Sequence, residues 1–287
     1  MKLLVLFLLI LASVVGTSIP DTLADAVRSD KLTIDEIVSK HLDSIGNAKS
    51  RAAIGSRVIG GTSHVTFRSR GIAQADGGAV LASEGTKSIV TMKFESSQYP
   101  YEKIGFDGSK VTAYQLHPGD YSSLGSFARA NPEMFKEGLV GGTLSSAWPL
   151  LDLSDRRAKL EYLGTKKVDS RLLLEIRYLP RGGSDLSISI FLDADSFQHV
   201  RTVYQKMVPA QMGRTVDESA RLSETRYEMV EEFSDFRTES GITLPHVYKI
   251  HLSQLGSGSQ VSDWLMTLVR FAFNQPLDAK DFDVGSD

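Results

Sequence analysis

The sequence predicts a mainly β protein: about ten or eleven antiparallel strands behind a single amphipathic helix. Three observations carry this. A helical apolar period opens at Thr33 and stops at Gly46. From residue 56 onward the apolar period is 2 rather than 3.6. Turn signals then recur at short, fairly regular spacing, as in a sandwich or a barrel-like sheet.

The chain begins with Lys2 and an unbroken run of small and apolar residues over 3–15. That run is shorter than the ~20 residues that span a bilayer. Val14 and Gly16 occupy the −3 and −1 positions of a small-residue cleavage site before Thr17. Residues 1–16 are therefore expected to be a signal peptide, the alternative being an uncleaved anchor, and 17–287 a single exported domain.

Thr33-Ile34-Asp35-Glu36 is a capping box, with a hydroxyl at the N-cap and a carboxylate three residues on. Ile34, Ile37, Val38, His41, Leu42 and Ile45 follow at helical spacing, and Gly46-Asn47 ends the helix. A second short helix is expected over 48–54. Strands are expected over 56–70, 79–83, 88–96, 101–106 and 110–116, with Gly77-Gly78 as a turn and Asp107-Gly108 as a hairpin tip. Four more follow over 159–163, 172–178, 186–192 and 199–206, and three long ones over 221–236, 244–252 and 261–273. Two segments interrupt the meander. Residues 118–153 contain Asn131-Pro132-Glu133, an N-cap followed by proline, and then Met134, Phe135, Leu139 and Val140 on one face before Gly141-Gly142. This is a helical insertion, read as a lid. Residues 208–219 are polar and aperiodic and read as a mobile loop.

A net charge of −3, from 32 basic and 35 acidic residues, excludes a nucleic-acid binder driven by phosphate neutralisation. With no cysteine there is no disulfide, thiolate zinc site, thiol nucleophile or lipidated cysteine. The sequence holds no Gly-x-Ser-x-Gly, phosphate-binding loop or His-Glu-x-x-His. His246 and His251 lie at odd spacing on one strand and so face opposite ways, which opposes a shared metal. Glu231 and Glu232 diverge for the same reason. Asp193-x-Asp195 sits between apolar strands and reads as a hairpin turn. No catalytic residue, metal site or cofactor is expected.

The apolar pattern is more telling. Leu172, Leu174, Ile176 and Tyr178 line one face of a strand, as do Ile188, Ile190 and Leu192, and Tyr248, Ile250 and Leu252. Such a face is either an ordinary dry core or a cavity for a lipid-like ligand beneath a helical lid. The pattern alone favours the dry core.

The features from Leu32 onward resemble the bacterial outer-membrane lipoprotein carrier (Lol) family and its lipoprotein-sorting relatives. The helix over 33–46 is similar to the opening helix of that group. Lys103-Ile-Gly-Phe-Asp-Gly108, with Val111 and Tyr114, resembles its central hairpin. Asp235-Phe-Arg, Gly241-Ile-Thr-Leu-Pro245 and Tyr248 resemble a late hairpin, and Phe271-x-Phe273-Asn-x-Pro276-Leu277 a closing strand.

The resemblance implies one curved antiparallel sheet, an incomplete β-barrel plugged by an N-terminal helix and a helical lid. It implies a periplasmic carrier, not an enzyme, that binds acyl chains of lipoproteins or other lipids. A membrane-bound donor or acceptor protein is a further expected partner. The alternative is an envelope sensor or interaction module on the same fold. On this reading Leu174, Ile176, Ile188, Ile190, Tyr248 and Ile250 are the lipid-binding residues, and Met134, Phe135 and Leu139 belong to the lid. Reversible holding asks for no dedicated charged clamp. The group's best-characterised carriers also have a strand arginine hydrogen-bonded to the lid. Arg68 and Arg70 are both candidates here, and the sequence does not choose between them.

Overall fold

The computed structural model describes residues 32–69, 71–210, 224–256 and 259–285. The expected signal peptide, Arg70 and residues 211–219 of the expected loop lie outside the described residues.

Helix α1 spans Ile34–Ile45. Its capping box closes as the sequence requires: Glu36 N–H donates to Thr33 Oγ1 at 3.3 Å, and Thr33 N–H donates to Glu36 Oε2 at 2.8 Å. Gly46 ends it at φ 149°, where a Cβ would sit 2.8 Å from the Gly241 carbonyl. Ile37, His41 and Ile45 form the buried face. Helix α2, Ala48–Ala52, is capped by Asn47 Oδ1.

The chain then builds a meander of five strands: β1 (Ser56–Arg68), β2 (Ile72–Glu84), β3 (Lys87–Phe94), β4 (Tyr101–Phe106) and β5 (Val111–Ala113). A separate short hairpin follows, β6 (Gln115–His117) with β7 (Asp120–Tyr121). Next come α3 (Ser123–Ala130), α4 (Glu133–Lys136), the 3-10 turns Gly142–Leu144 and Pro149–Leu151, and α5 (Leu153–Arg156). The remaining strands form a second meander: β8 (Lys159–Val168), β9 (Arg171–Leu179), β10 (Ser187–Asp193), β11 (His199–Val208), β12 (Thr225–Glu239), β13 (Ile242–Leu255) and β14 (Gln260–Phe273).

The two meanders join where the first strand meets the last. Among the described residues the order is β5-β4-β3-β2-β1-β14-β13-β12-β11-β10-β9-β8, a single twelve-stranded antiparallel sheet. β5 and β8 are its unpaired edges, so the barrel is open. The sandwich alternative is therefore excluded, and the incomplete barrel holds.

Because β5 and β8 are opposite edges, the segment between them must cross the sheet. It crosses on the concave side. Leu124, Phe127, Met134, Phe135, Leu139, Leu144, Trp148 and Leu150 from this segment share one buried core with the inward side chains of the strands. A last 3-10 turn, Ala279–Phe282, packs Phe282 onto the sheet, where Gly105 leaves room for the Phe282 carbonyl.

Gly77-Gly78 is not a turn. Both glycines lie inside β2, opposite Ser63 and Thr62 of β1. A side chain on Gly77 would collide with the Lys93 carbonyl of β3. The first half of β2 is largely exposed and carries no apolar alternation, so periodicity does not reveal it.

Candidate functional site

Strand alternation sends Leu174 and Ile176 of β9, Ile188 and Ile190 of β10, and Tyr248 and Ile250 of β13 to the same concave face. All six are buried in one core, at most 3% exposed. Met134, Phe135 and Leu139 belong to that core too, at 1%, 2% and 0% exposure. The expected lid residues are thus a ceiling laid directly on the expected floor rather than a rim at its mouth. Tyr178 of β9 ties the two layers, its hydroxyl donating to Glu137 Oε2 at 2.6 Å.

Polar groups fix this ceiling at three further points. Arg57 of β1, 2% exposed, donates from its guanidinium to the Thr143 carbonyl and, at 3.2 Å, to the Ser145 carbonyl. It makes no carboxylate contact among the described residues, and burial brings its pKa down to about 10. Glu231 of β12 is fully buried and accepts from Gly141 N–H at 2.8 Å, from Tyr204 Oη at 2.6 Å and from Tyr248 Oη. Burial pushes its pKa up. The third point is aromatic. Trp148 Nε1 donates to His41 Nε2 at 2.9 Å, and the indole stacks on His199 with ring centroids 4.3 Å apart. His41 Nδ1 in turn faces the Phe197 carbonyl at 2.9 Å. Desolvation holds His41 at a pKa of about 4, so it is neutral and accepts the indole proton.

Of the two sequence candidates for the lid arginine, one falls among the described residues. Arg68 points outward and pairs with Asp263. Arg70 lies outside the described residues. Arg57 is a strand arginine that binds the crossing segment. It shares odd-numbered parity with the inward residues Ile59 and Val65, and that parity was the available signal. A charged residue in phase with an apolar face is easily read as an interruption of the pattern.

The open space lies at one end of the concave face. A cleft of about 580 Å³ is bounded by Phe67 of β1, Tyr99, Leu116 of β6, Phe127 of α3 and Tyr227 of β12, with Ser122, Ser123, Ser126, Asn131 and Lys206. Phe67, Tyr99, Leu116, Phe127 and Tyr227 all pack on the main core, so the cleft is continuous with the covered face. α1 contacts the opposite end, where Gly46 meets the β12–β13 turn at Gly241. Among the described residues, α1 stoppers one end of the half-barrel and the cleft lies at the other.

Behind the cleft wall, Glu102 of β4 is fully buried and accepts from Tyr99 Oη, while Trp264 Nε1 donates to Tyr99 Oη at 3.0 Å. Ser122, the N-cap of α3, hydrogen-bonds the same carboxyl. Desolvation raises the Glu102 pKa to about 7.

A larger groove of about 800 Å³ lies on the convex side, floored by Gly60 and Gly78 and flanked by the exposed Val80. Much of its floor is backbone. His64, His251, Asp263 and Arg68 surround a third, polar depression on the convex side. His251 binds Asp263 and the buried His246 binds Glu239, so the two histidines of β13 serve different carboxylates. Glu231 faces in while Glu232 faces out to Arg201. Asp193 caps its own turn, accepting from Ser196 N–H at 2.9 Å.

Three solved structures are among those similar to this chain. A LolA superfamily protein from Nitrosomonas europaea is 12% identical, with a TM-score of 0.46 over 88% of this chain and 97% of that one. A DUF1329 family protein from Desulfovibrio piger is 11% identical, with a TM-score of 0.42 over 88% and 98%. An outer-membrane lipoprotein-sorting protein domain from Vibrio parahaemolyticus is 10% identical, with a TM-score of 0.37 over 85% and 97%. No protein-family model matches the sequence, and no curated protein matches it.

Proposed function

We propose that this chain is an exported, non-catalytic carrier that holds the acyl chains of lipoproteins or other lipids in its apolar half-barrel and moves them through the cell envelope. The observation that supports it most directly is the aromatic cleft, about 580 Å³, opening at the unstoppered end of the concave face. An apolar chain entering there meets Phe67, Phe127 and Tyr227 first. It extends under the ceiling only by displacing lid side chains such as Phe135. Leu174, Ile176, Ile188, Ile190, Tyr248 and Ile250 are then the floor it lies on.

The energetics suit reversible holding. Each buried methylene contributes about 0.8 kcal/mol, so a 16-carbon chain gains on the order of 10 kcal/mol gross. Ordering the ligand and displacing the lid reduce this substantially. Arg57, bonded only to main-chain carbonyls, makes the lid a cover that can be exchanged: its partners are re-satisfied by water once the lid lifts.

The test uses Ser126→Trp. Ser126 is exposed on α3 and lines the cleft, so an indole there fills the entrance without touching the core. Uptake of a fluorescent long-chain acyl probe should fall at least about tenfold, with the melting temperature unchanged. Equal uptake by the variant and the parent would sink the carrier reading. Mass spectrometry of lipid extracted from gently purified protein gives the independent check.

A further inference from the structure

We propose that the cleft selects an acyl amphiphile with a compact anionic head, and that Lys206 of β11 receives that head. The inference rests on the carrier reading and specifies its ligand.

Lys206 is the one charged residue among the described residues that line the cleft. Its ammonium donates to Asn131 Oδ1 at 2.9 Å. Asn131 is 1% exposed, and its amide orientation is set by the donation of Nδ2 to the Phe127 carbonyl at 2.8 Å. A neutral buried amide thus holds the ammonium in place, and among the described residues no acid compensates its charge. Among the described residues no carboxylate lies within ion-pair distance of Lys206. This contrasts with Lys87, Lys110 and Lys159, each paired with an acid. An ammonium has three donors, and among the described residues one is used here.

The walls beside it are apolar: Phe67, Leu116, Phe127 and Tyr227. A cation at the rim of an aromatic cleft matches a molecule with an acyl chain and a negative end. The chain is drawn toward the covered face and the head stays at the solvent boundary, where a lysine can reach it without full desolvation. Carboxylate and phosphate share this chemistry, so a fatty acid and a lysophosphatidate are both of the class. A neutral ester is not. Where the sequence reading asked for no charged clamp, this proposal adds a single cation at the rim.

The experiment compares palmitate, a palmitoyl lysophosphatidate and methyl palmitate as competitors for a fluorescent acyl probe at pH 8, in wild type, Lys206→Met and Lys206→Arg. In wild type at least one anionic ligand should bind about tenfold tighter than the ester, the size expected of a charge-assisted hydrogen bond. Which of the two does so identifies the head. Lys206→Met should bring the anionic ligands to the level of the ester, and Lys206→Arg should keep a preference. Added salt should weaken the anionic ligands and leave the ester unchanged. If all three ligands bind wild type alike, or if Lys206→Met keeps the full preference, the head-group inference fails and the carrier reading stands. If none binds, both fail together.

Discussion

The Arg57 guanidinium donates to the main-chain carbonyl of Thr143, joining the first strand of the sheet to the segment that crosses its concave face. Neither residue is visible to solvent, and the bond spans 86 positions of sequence. Among the described residues Arg57 Nε and Thr143 Oγ1 have no hydrogen-bond partner, so the contact between the two layers is polar but incompletely satisfied. A cover fixed by such bonds is specific in its placement without being fully bound.

The first prediction follows from that contact. Arg57→Leu should leave the far-ultraviolet dichroism unchanged while residues 141–148 exchange their amide hydrogens faster. The local opening should be easier by about 1–3 kcal/mol, the cost of leaving buried carbonyls unpaired. Unchanged protection of 141–148 in hydrogen-exchange mass spectrometry would mean that Arg57 does not hold the lid.

Phe135 shows how the structure revises an expectation. As part of a lid at the mouth it would be peripheral, and its loss would hardly affect stability. At 2% exposure inside the main core, Phe135→Ala should cost about 3–5 kcal/mol, read as a shift of the denaturation midpoint at constant slope. A loss below about 1 kcal/mol, within the range of surface substitutions, would show that this ceiling is loosely packed.

Glu102 predicts a decline in stability toward alkaline pH. Its pKa is raised from 4.5 to about 7 by burial, so the folded state binds the proton more tightly than the unfolded chain. Stability from this group is therefore full below pH 4.5 and is lost as pH rises through about 7. Melting curves should show wild type losing stability across this window and Glu102→Gln losing less. Parallel profiles for the two proteins would contradict the assignment.

His41 predicts the opposite slope. Desolvation depresses its pKa from 6.5 to about 4, so the unfolded chain binds the proton more tightly. Stability falls as pH drops below 6.5 and levels off near 4. Protonation would also remove the acceptor for Trp148 Nε1. Tryptophan fluorescence followed between pH 7 and 4 should change in wild type, and Trp148→Phe should remove that part of the signal.

The sequence by itself determined the local elements. Thr33 and Glu36 specify where α1 starts whatever surrounds them, because both capping bonds lie within four residues. Alternation sends Leu174, Ile176, Ile188 and Ile190 to one face, because neighbouring side chains on a strand point oppositely. The resemblance to the lipoprotein-carrier group also lay in short local motifs. Tertiary structure alone decided which strands meet and what covers them. The pairing of β1 with β14 joins residues some two hundred positions apart, as in Arg57 with Phe273, and no local signal encodes it. Gly77-Gly78 looks like a turn locally but lies within β2, paired with Ser63 and Thr62 on one side and Phe94 and Lys93 on the other. Arg57 and Lys206 have roles that exist only once distant segments arrive, Thr143 over one and Asn131 beside the other. A hydrogen bond to such a partner leaves no periodic trace along the chain. Most strands between residues 56 and 273 could be read, the first half of β2 excepted, while the Arg57 contact and the cleft could be seen only in the fold.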